Sequence, residues 1–367
     1  MYSMKQTMRW IGPDDAVQLA DIRQAGYSGV VTALDHIPIG ETWTRSEIIK
    51  RKKQVEEAGL DWDVVEDLPV HENIKTQSAN FETYIENYQK SIRNLASCGI
   101  HTIGYNFSPL LNRTRTDLHY TLADGSKTKR FERWALIAFD VFMLKHNGAE
   151  KHYSNEDLKK AEHRFSQMTG EEKEQLEKDL FAGLQNSLGV LNMEEFRQAI
   201  DRYKKMNAHK YRQYLFYFLH EILPVVDECD IKLALHPDDP PYPVFGLPRI
   251  ASTAADLNLI FEAAPSFNNG LCFCTCSLGA KKNNDLPAMV REFYDRIHFL
   301  RLGNIQRSNR DFWETNHLQG SIDMYAVLRQ IILIMQKRSV SITMYADRGL
   351  LGELRGLEMG IQRMLMD

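Results

Sequence analysis

No apolar run in the 367-residue sequence reaches the roughly 18–20 residues that a membrane-spanning helix requires. Nor does Met1-Tyr-Ser-Met-Lys5 lead into the apolar core of a secretory signal, and both absences point away from membranes and export. Blocks of basic charge are missing too. Lys and Arg number 45 against 49 Asp and Glu, for a net charge of −4, so a nucleic-acid partner is not expected. Cysteine is scarce and oddly placed: of five, three stand at positions 272, 274 and 276. An odd number so closely spaced makes a poor disulfide framework and suits reduced thiols in the cytoplasm. What remains is ordinary globular composition, 43% hydrophobic and 26% charged, in a chain long enough for a sizeable core.

The chain is organised around Ile231-Lys-Leu-Ala-Leu-His236-Pro-Asp-Asp-Pro-Pro241. Its apolar run alternates poorly, as a strand buried on both faces does, and the acids and prolines that follow end it. A histidine at the end of a buried parallel strand stands where α/β folds place their chemistry. A lone histidine can equally be a core residue with its ring nitrogens satisfied. Similar runs recur at 8–11, 28–34, 61–66, 101–107, 270–277, 296–302 and 340–346. Helical spacing fills 44–60, 81–98, 211–229, 253–264, 286–294, 321–336 and the C-terminal stretch. Eight strands alternating with helices predict a (β/α)8 TIM barrel, a single domain over 1–367, with its active site at the carboxyl ends of the strands. Residues 108–205 break the rhythm. Charged, and helical at 155–180 and 193–206, they predict a mostly helical insertion after strand 4 that lids the domain or joins it to a second copy.

The predicted strand ends carry Trp10, Glu66, Asn106, His236, Cys274, Arg301 and Asp347, with His71 just beyond one of them. One imidazole, one thiolate and one carboxylate from separate strands could together bind a divalent metal such as Mn, Fe or Zn. Cys272 and Cys276 share a strand face with Cys274 on this reading and are expected to be small core residues. If Arg301 faces the site, His298 faces the helices.

Residue by residue, the chain resembles the mannonate dehydratase family. The likeness rests on Met8-Arg-Trp10, Gly29-Val-Val-Thr-Ala-Leu34, His36-Ile-Pro38, Pro69-Val-His-Glu72 and Tyr105-Asn-Phe107. It continues through Thr114-Arg-Thr-Asp-Leu118, His236-Pro-Asp-Asp-Pro-Pro241, Phe245-Gly-Leu-Pro-Arg-Ile250, Phe273-Cys-Thr275 and Asn284-Asp-Leu286. The resemblance implies a xylose-isomerase-like TIM barrel that dehydrates D-mannonate to 2-keto-3-deoxy-D-gluconate in hexuronate catabolism. It implies Mn2+ or Fe2+ as cofactor, held by His236, Cys274, Asp347 and a fourth ligand at position 301. It also implies a small-molecule sugar acid as partner, bound by strand-end residues such as Trp10, Glu66, His71 and Asn106, and a homo-oligomer in the cytoplasm.

Departures from the family's pattern fall on the chemistry. The fourth ligand position is Arg301, which has no lone pair to give a metal and stays protonated. The family's Arg two residues on is Gly303, and its catalytic His after strand eight is Arg348. A loop bearing a catalytic Tyr is missing between Gly349 and Leu351-Gly-Glu-Leu-Arg355. Asp35, Asn112, Arg113 and Trp313 also differ. Arg301 could pair with Asp347 and fill the metal's place, leaving the chain without a metal. Two functions follow: a metal-dependent sugar-acid dehydratase, working or impaired, and a non-catalytic sugar-acid-binding or regulatory relative.

Overall fold

Eight parallel strands pair edge to edge until the last closes on the first. The computed structural model describes residues 2–184, 191–347 and 351–365. The barrel strands are β1 (Lys5–Arg9), β2 (Gly29–Thr32), β3 (Asp61–Val65), β4 (Thr102–Tyr105), β7 (Lys232–Leu235), β8 (Asn269–Cys274), β9 (Ile297–Leu302) and β12 (Thr343–Ala346). Around the barrel they run β1-β2-β3-β4-β7-β8-β9-β12 and back to β1. Helices connect them because each segment between strands carries its own start and stop. Thr44 accepts the amide of Glu47 to cap Arg45–Glu57, and Asp323 caps Met324–Arg338 in the same way. Phe81–Ser97 ends before Gly99, whose φ of +77° a residue with a side chain rarely adopts. Among the described residues, no helix is long and apolar enough to cross a membrane.

Side-chain alternation then decides what the barrel encloses. Val31, Val64, Ala234, Cys272 and Phe299 form one small buried cluster, with Tyr345 packed against it. Two residues further along five of these strands, on the same face, come Glu66, His236, Cys274, Arg301 and Asp347. An apolar layer thus supports a polar layer at the carboxyl mouth. The backbone ladder continues into that layer. The amide of Glu66 donates to the Thr32 carbonyl at 3.2 Å, that of His236 to Tyr105 at 2.8 Å, and that of Asp347 to Leu302 at 2.8 Å. His298, on the opposite parity, points out of the barrel, 3.0 Å from the Phe267 carbonyl.

Several expectations need correction. The run at 270–277 is not one strand: β8 stops at Cys274 and Thr275–Gly279 is helical. The cause is local, since the Thr275 hydroxyl donates to the Gly303 carbonyl at 2.6 Å and accepts its amide at 2.9 Å, turning the chain. Cys276 therefore lies on a helix and shares no strand face with Cys274. The insertion, expected to be mostly helical, also holds strands not foreseen from its sequence. It carries an antiparallel hairpin, β5 (Asp117–Thr121) and β6 (Lys127–Phe131), before its helices Asn155–Gln167, Gly170–Phe181 and Met193–Asp201. A second hairpin, β10 (Asn304–Ser308) and β11 (Asp311–Thr315), leaves β9 and pairs with the first. The result is a four-stranded sheet, β10-β11-β6-β5, beside the barrel mouth.

Candidate active site

A cavity of about 370 Å3 opens at the carboxyl mouth of the barrel. The barrel supplies Arg9, Glu66, Asp67, Asn106, Arg301, Tyr345 and Asp347 to its lining. The insertion supplies Asn112, Arg113, Arg115 and Lys129, and the second hairpin supplies Glu314. Arg113 is delivered by backbone pairing, as a parallel bridge to Asp239 sets it beside the loop after β7.

Arg301 is the centre of the arrangement. Its Nη2 donates to Asp347 Oδ1 at 2.6 Å, and its Nη1 lies 3.1 Å from His236 Nε2 and 3.2 Å from Glu66 Oε1. Arg113 Nη2 donates to the same Glu66 oxygen at 2.7 Å. The histidine's role follows from its other nitrogen. Nδ1 lies 2.7 Å from the Pro237 carbonyl, which can only accept, so Nδ1 carries the hydrogen. Burial, then the guanidiniums of Arg301 and Arg113, push the His236 pKa down to about 3, so the ring is neutral. Its Nε2 lone pair is thus turned on Arg301.

The carboxylates divide. Burial would raise Glu66, but Arg301, Arg113 and Arg9 outweigh it and hold it at about 2. Asp347 is likewise kept well below the usual carboxylate range, by Arg301 and Arg113 against burial. Asp67 goes the other way: burial lifts it above the ordinary value despite Arg113, and Glu66 adds to the rise. Its Oδ2 accepts long bonds, 3.3 Å each, from Asn106 and Asn112.

The divalent cation that the resemblance implies does not fit this arrangement. The Arg301 guanidinium stands between His236 and Asp347, bonded to both. Cys274 has its sulfur 3.1 Å from the Ser277 hydroxyl, and burial raises its thiol pKa, which disfavours thiolate. Among the described residues, no three His, Cys, Asp or Glu side chains are grouped so as to hold a metal.

The structure brings Glu66, Asn106, Arg301 and Asp347 together around the cavity, with His236 and Cys274 buried behind Arg301. It places two predicted residues elsewhere. Trp10 follows Arg9, and it is Arg9, in register with Val31, that faces inward; the Trp10 ring lies under the Arg51 guanidinium, 5.0 Å away. His71 stacks on Tyr84, with ring centroids 3.7 Å apart, and its Nδ1 accepts the Asn73 amide at the start of a short helix. Arg348 lies outside the described residues, as do 349 and 350, where the catalytic loop was expected to be missing. Residues that the sequence did not single out as site residues include Arg9, Asp67 and Lys129. Strand parity pointed to Arg9, two residues after the buried Thr7. Asp35, Asn112 and Arg113, noted as departures from the family pattern, line the same cavity as Arg301, whereas Trp313 does not.

A family model described as D-mannonate dehydratase (UxuA) matches residues 4–356. A mannonate dehydratase of Saccharophagus degradans is 42% identical over 336 residues, covering 91% of this chain and 85% of that protein. A mannonate dehydratase of Marinomonas sp. is 40% identical, covering 99% of this chain and 100% of that protein. Among solved structures, mannonate dehydratase from Streptococcus suis serotype 2 superposes with a TM-score of 0.79 at 29% identity, covering 100% of this chain and 96% of that one. A xylose isomerase domain protein from Planctomyces limnophilus, 9% identical, shares the fold with a TM-score of 0.53, covering 99% of this chain and 100% of that one.

Proposed function

The chain belongs to the D-mannonate dehydratase family, and we propose that its cavity is a sugar-acid site where D-mannonate loses water to give 2-keto-3-deoxy-D-gluconate. The observation that carries the reading is the match to mannonate dehydratases over nearly the whole chain. In this reaction a base takes the C2 proton, and the electrons of the broken C2–H bond form a C2=C3 double bond. The C3–O bond breaks, the oxygen takes a proton and leaves as water, and the enol becomes the 2-keto acid. The residues present suit two parts of that work. Arg113 and Arg301, with Arg9 and Lys129 nearby, offer planar and point-charge donors for the substrate carboxylate, where negative charge grows as the C2 proton departs. Asp67, raised toward its protonated form while its neighbour Glu66 stays ionised, is the carboxyl suited to give the leaving hydroxyl its proton.

The test is D-mannonate with purified protein, followed by NMR for 2-keto acid. Product is expected, and Asp67→Asn should lower kcat by about 100-fold or more with KM little changed, the range of a lost general acid. A second reading, a sugar-acid-binding relative without turnover, is favoured by the Arg301 guanidinium bonded to three of the polar groups at the mouth. Saturable D-mannonate binding with no product would decide for it. The five cysteines stand free, which supports a reducing compartment such as the cytoplasm. Homo-oligomerisation through residues 108–205 is tested by sedimentation, where a monomer mass would remove it.

A further inference from the structure

We infer that the Arg301 guanidinium serves here as a built-in cation, so that the cavity binds a polyhydroxylated acid without any divalent ion. The inference rests on the cavity being a sugar-acid site and adds how that acid is held. Arg301 already makes the contacts a cation would make, to Asp347 Oδ1 at 2.6 Å, Glu66 Oε1 at 3.2 Å and His236 Nε2 at 3.1 Å. Its side chain is buried, 6% exposed, so admitting a metal would mean displacing a desolvated charge from its ion-pair partners Glu66 and Asp347.

The atoms left over say what the cavity takes. Among the described residues, Glu66 Oε2 and Asn112 Oδ1 are buried acceptors with no partner, and Arg301 Nε and Arg113 Nε are buried donors in the same condition. All four residues line the cavity. A metal ion could satisfy only the acceptors. A hydroxyl both donates and accepts, and a carboxylate accepts from guanidinium, so an acid bearing several hydroxyls can meet both kinds. Lone acceptors and lone donors side by side are costly unless such a ligand joins them.

The test uses the full chain, stripped with EDTA. Mn2+ is titrated into wild type and Arg301→His by calorimetry, with metal content checked by mass spectrometry after desalting. D-mannonate is then titrated in excess EDTA and in Mn2+. Wild type is expected to retain no stoichiometric Mn2+ and to bind D-mannonate equally well in both buffers. R301H should gain one Mn2+ per chain and lose at least about tenfold in D-mannonate affinity in EDTA, the scale of a charge-assisted bond. One tightly held Mn2+ per wild-type chain, or D-mannonate binding that needs Mn2+, would overturn the inference. So would an R301H protein that folds and binds D-mannonate in EDTA as wild type does. The wild-type titrations decide the matter even if R301H fails to fold, and Arg301→Lys, which keeps the charge, should stay free of Mn2+. Binding in EDTA with no turnover in either buffer sinks the dehydratase reading but upholds this one. No D-mannonate binding in either buffer sinks both.

Discussion

Glu66 Oε1 is shared by two guanidiniums, and the sharing sets how each behaves. Arg113 comes in at 2.7 Å and Arg301 at 3.2 Å, so Arg113 makes the tighter bond. Arg113 is also the more exposed, at 22% of its side chain against 6%, and is the arginine an incoming acid meets first. Removing it leaves Glu66 still neutralised by Arg301, so the protein should fold. Arg113→Ala is therefore expected to cost binding rather than stability. A hydrogen bond between charged partners contributes about 1.5–3 kcal/mol, or roughly 10- to 150-fold in Kd. Calorimetry with D-mannonate checks this, and an unchanged Kd would take Arg113 out of the site. Arg113→Lys should fall between, because it keeps the charge but loses the planar fork. Gly303 shows the same close fitting from the other side. A Cβ there would stand 2.7 Å from Cys276 Sγ and 3.0 Å from the Asp347 Cβ, so the absence of a side chain lets Asp347 sit beside Arg301.

The five-residue helix Glu72–Thr76 is too short to hold itself, and its side chains explain why it persists. Glu72 and Lys75 pair at 2.8 Å with almost no exposure, Lys75 also donates to the Ser108 carbonyl at 2.9 Å, and the Tyr203 hydroxyl donates to Glu72. The helix after β3 is thus bound to the start of the insertion and to its far end. Lys75→Met should strand the Glu72 charge and destabilise the protein by about 3–5 kcal/mol, whereas adding Glu72→Gln should recover much of the loss. Urea unfolding of the three proteins checks it, and equal midpoints for the single and double variants would refute it. At this scale the sequence was readable wherever structure is local. The alternation of apolar strands with helices marked the barrel, and strand ends pointed to His236, Glu66 and Asp347. Legibility failed where pairing is distant. Phe131 meets Phe312 and Arg130 meets Trp313 across some 180 positions, which no periodicity reveals. The hairpin itself left a signal: Asp124-Gly125, with φ of +83° at the glycine, lies between the two strands. Trp10 was misplaced by one residue of strand parity, the smallest slip that moves a side chain from one face to the other.

Barrel, insertion and second hairpin meet at one side chain. Arg115 donates two bonds to Asp239, at 2.7 and 3.0 Å, and a third to Glu314 at 3.2 Å, with its guanidinium 5.0 Å above the Phe312 ring. Asp239 belongs to the His236-Pro-Asp-Asp loop of the barrel, Glu314 to the second hairpin, and Arg115 to the insertion. Asp239 and Glu314 are both buried, so Arg115 is what lets two acids lie there together. Beyond the chain connections, Arg307 of β10 also ties the four-stranded sheet to the barrel, donating to the Gly279 carbonyl after β8. Arg115→Met should therefore loosen the sheet before the barrel. Hydrogen exchange is expected to quicken over 117–131 and 304–315 while β2, β7 and β8 keep their protection. D-mannonate affinity should fall in parallel, because Lys129 and Glu314 line the cavity from that sheet. Uniform exchange across all strands would mean that sheet and barrel open as one unit. Fast exchange in the sheet with unaltered affinity would mean that the barrel residues alone, Arg9, Glu66 and Arg301 among them, hold the acid.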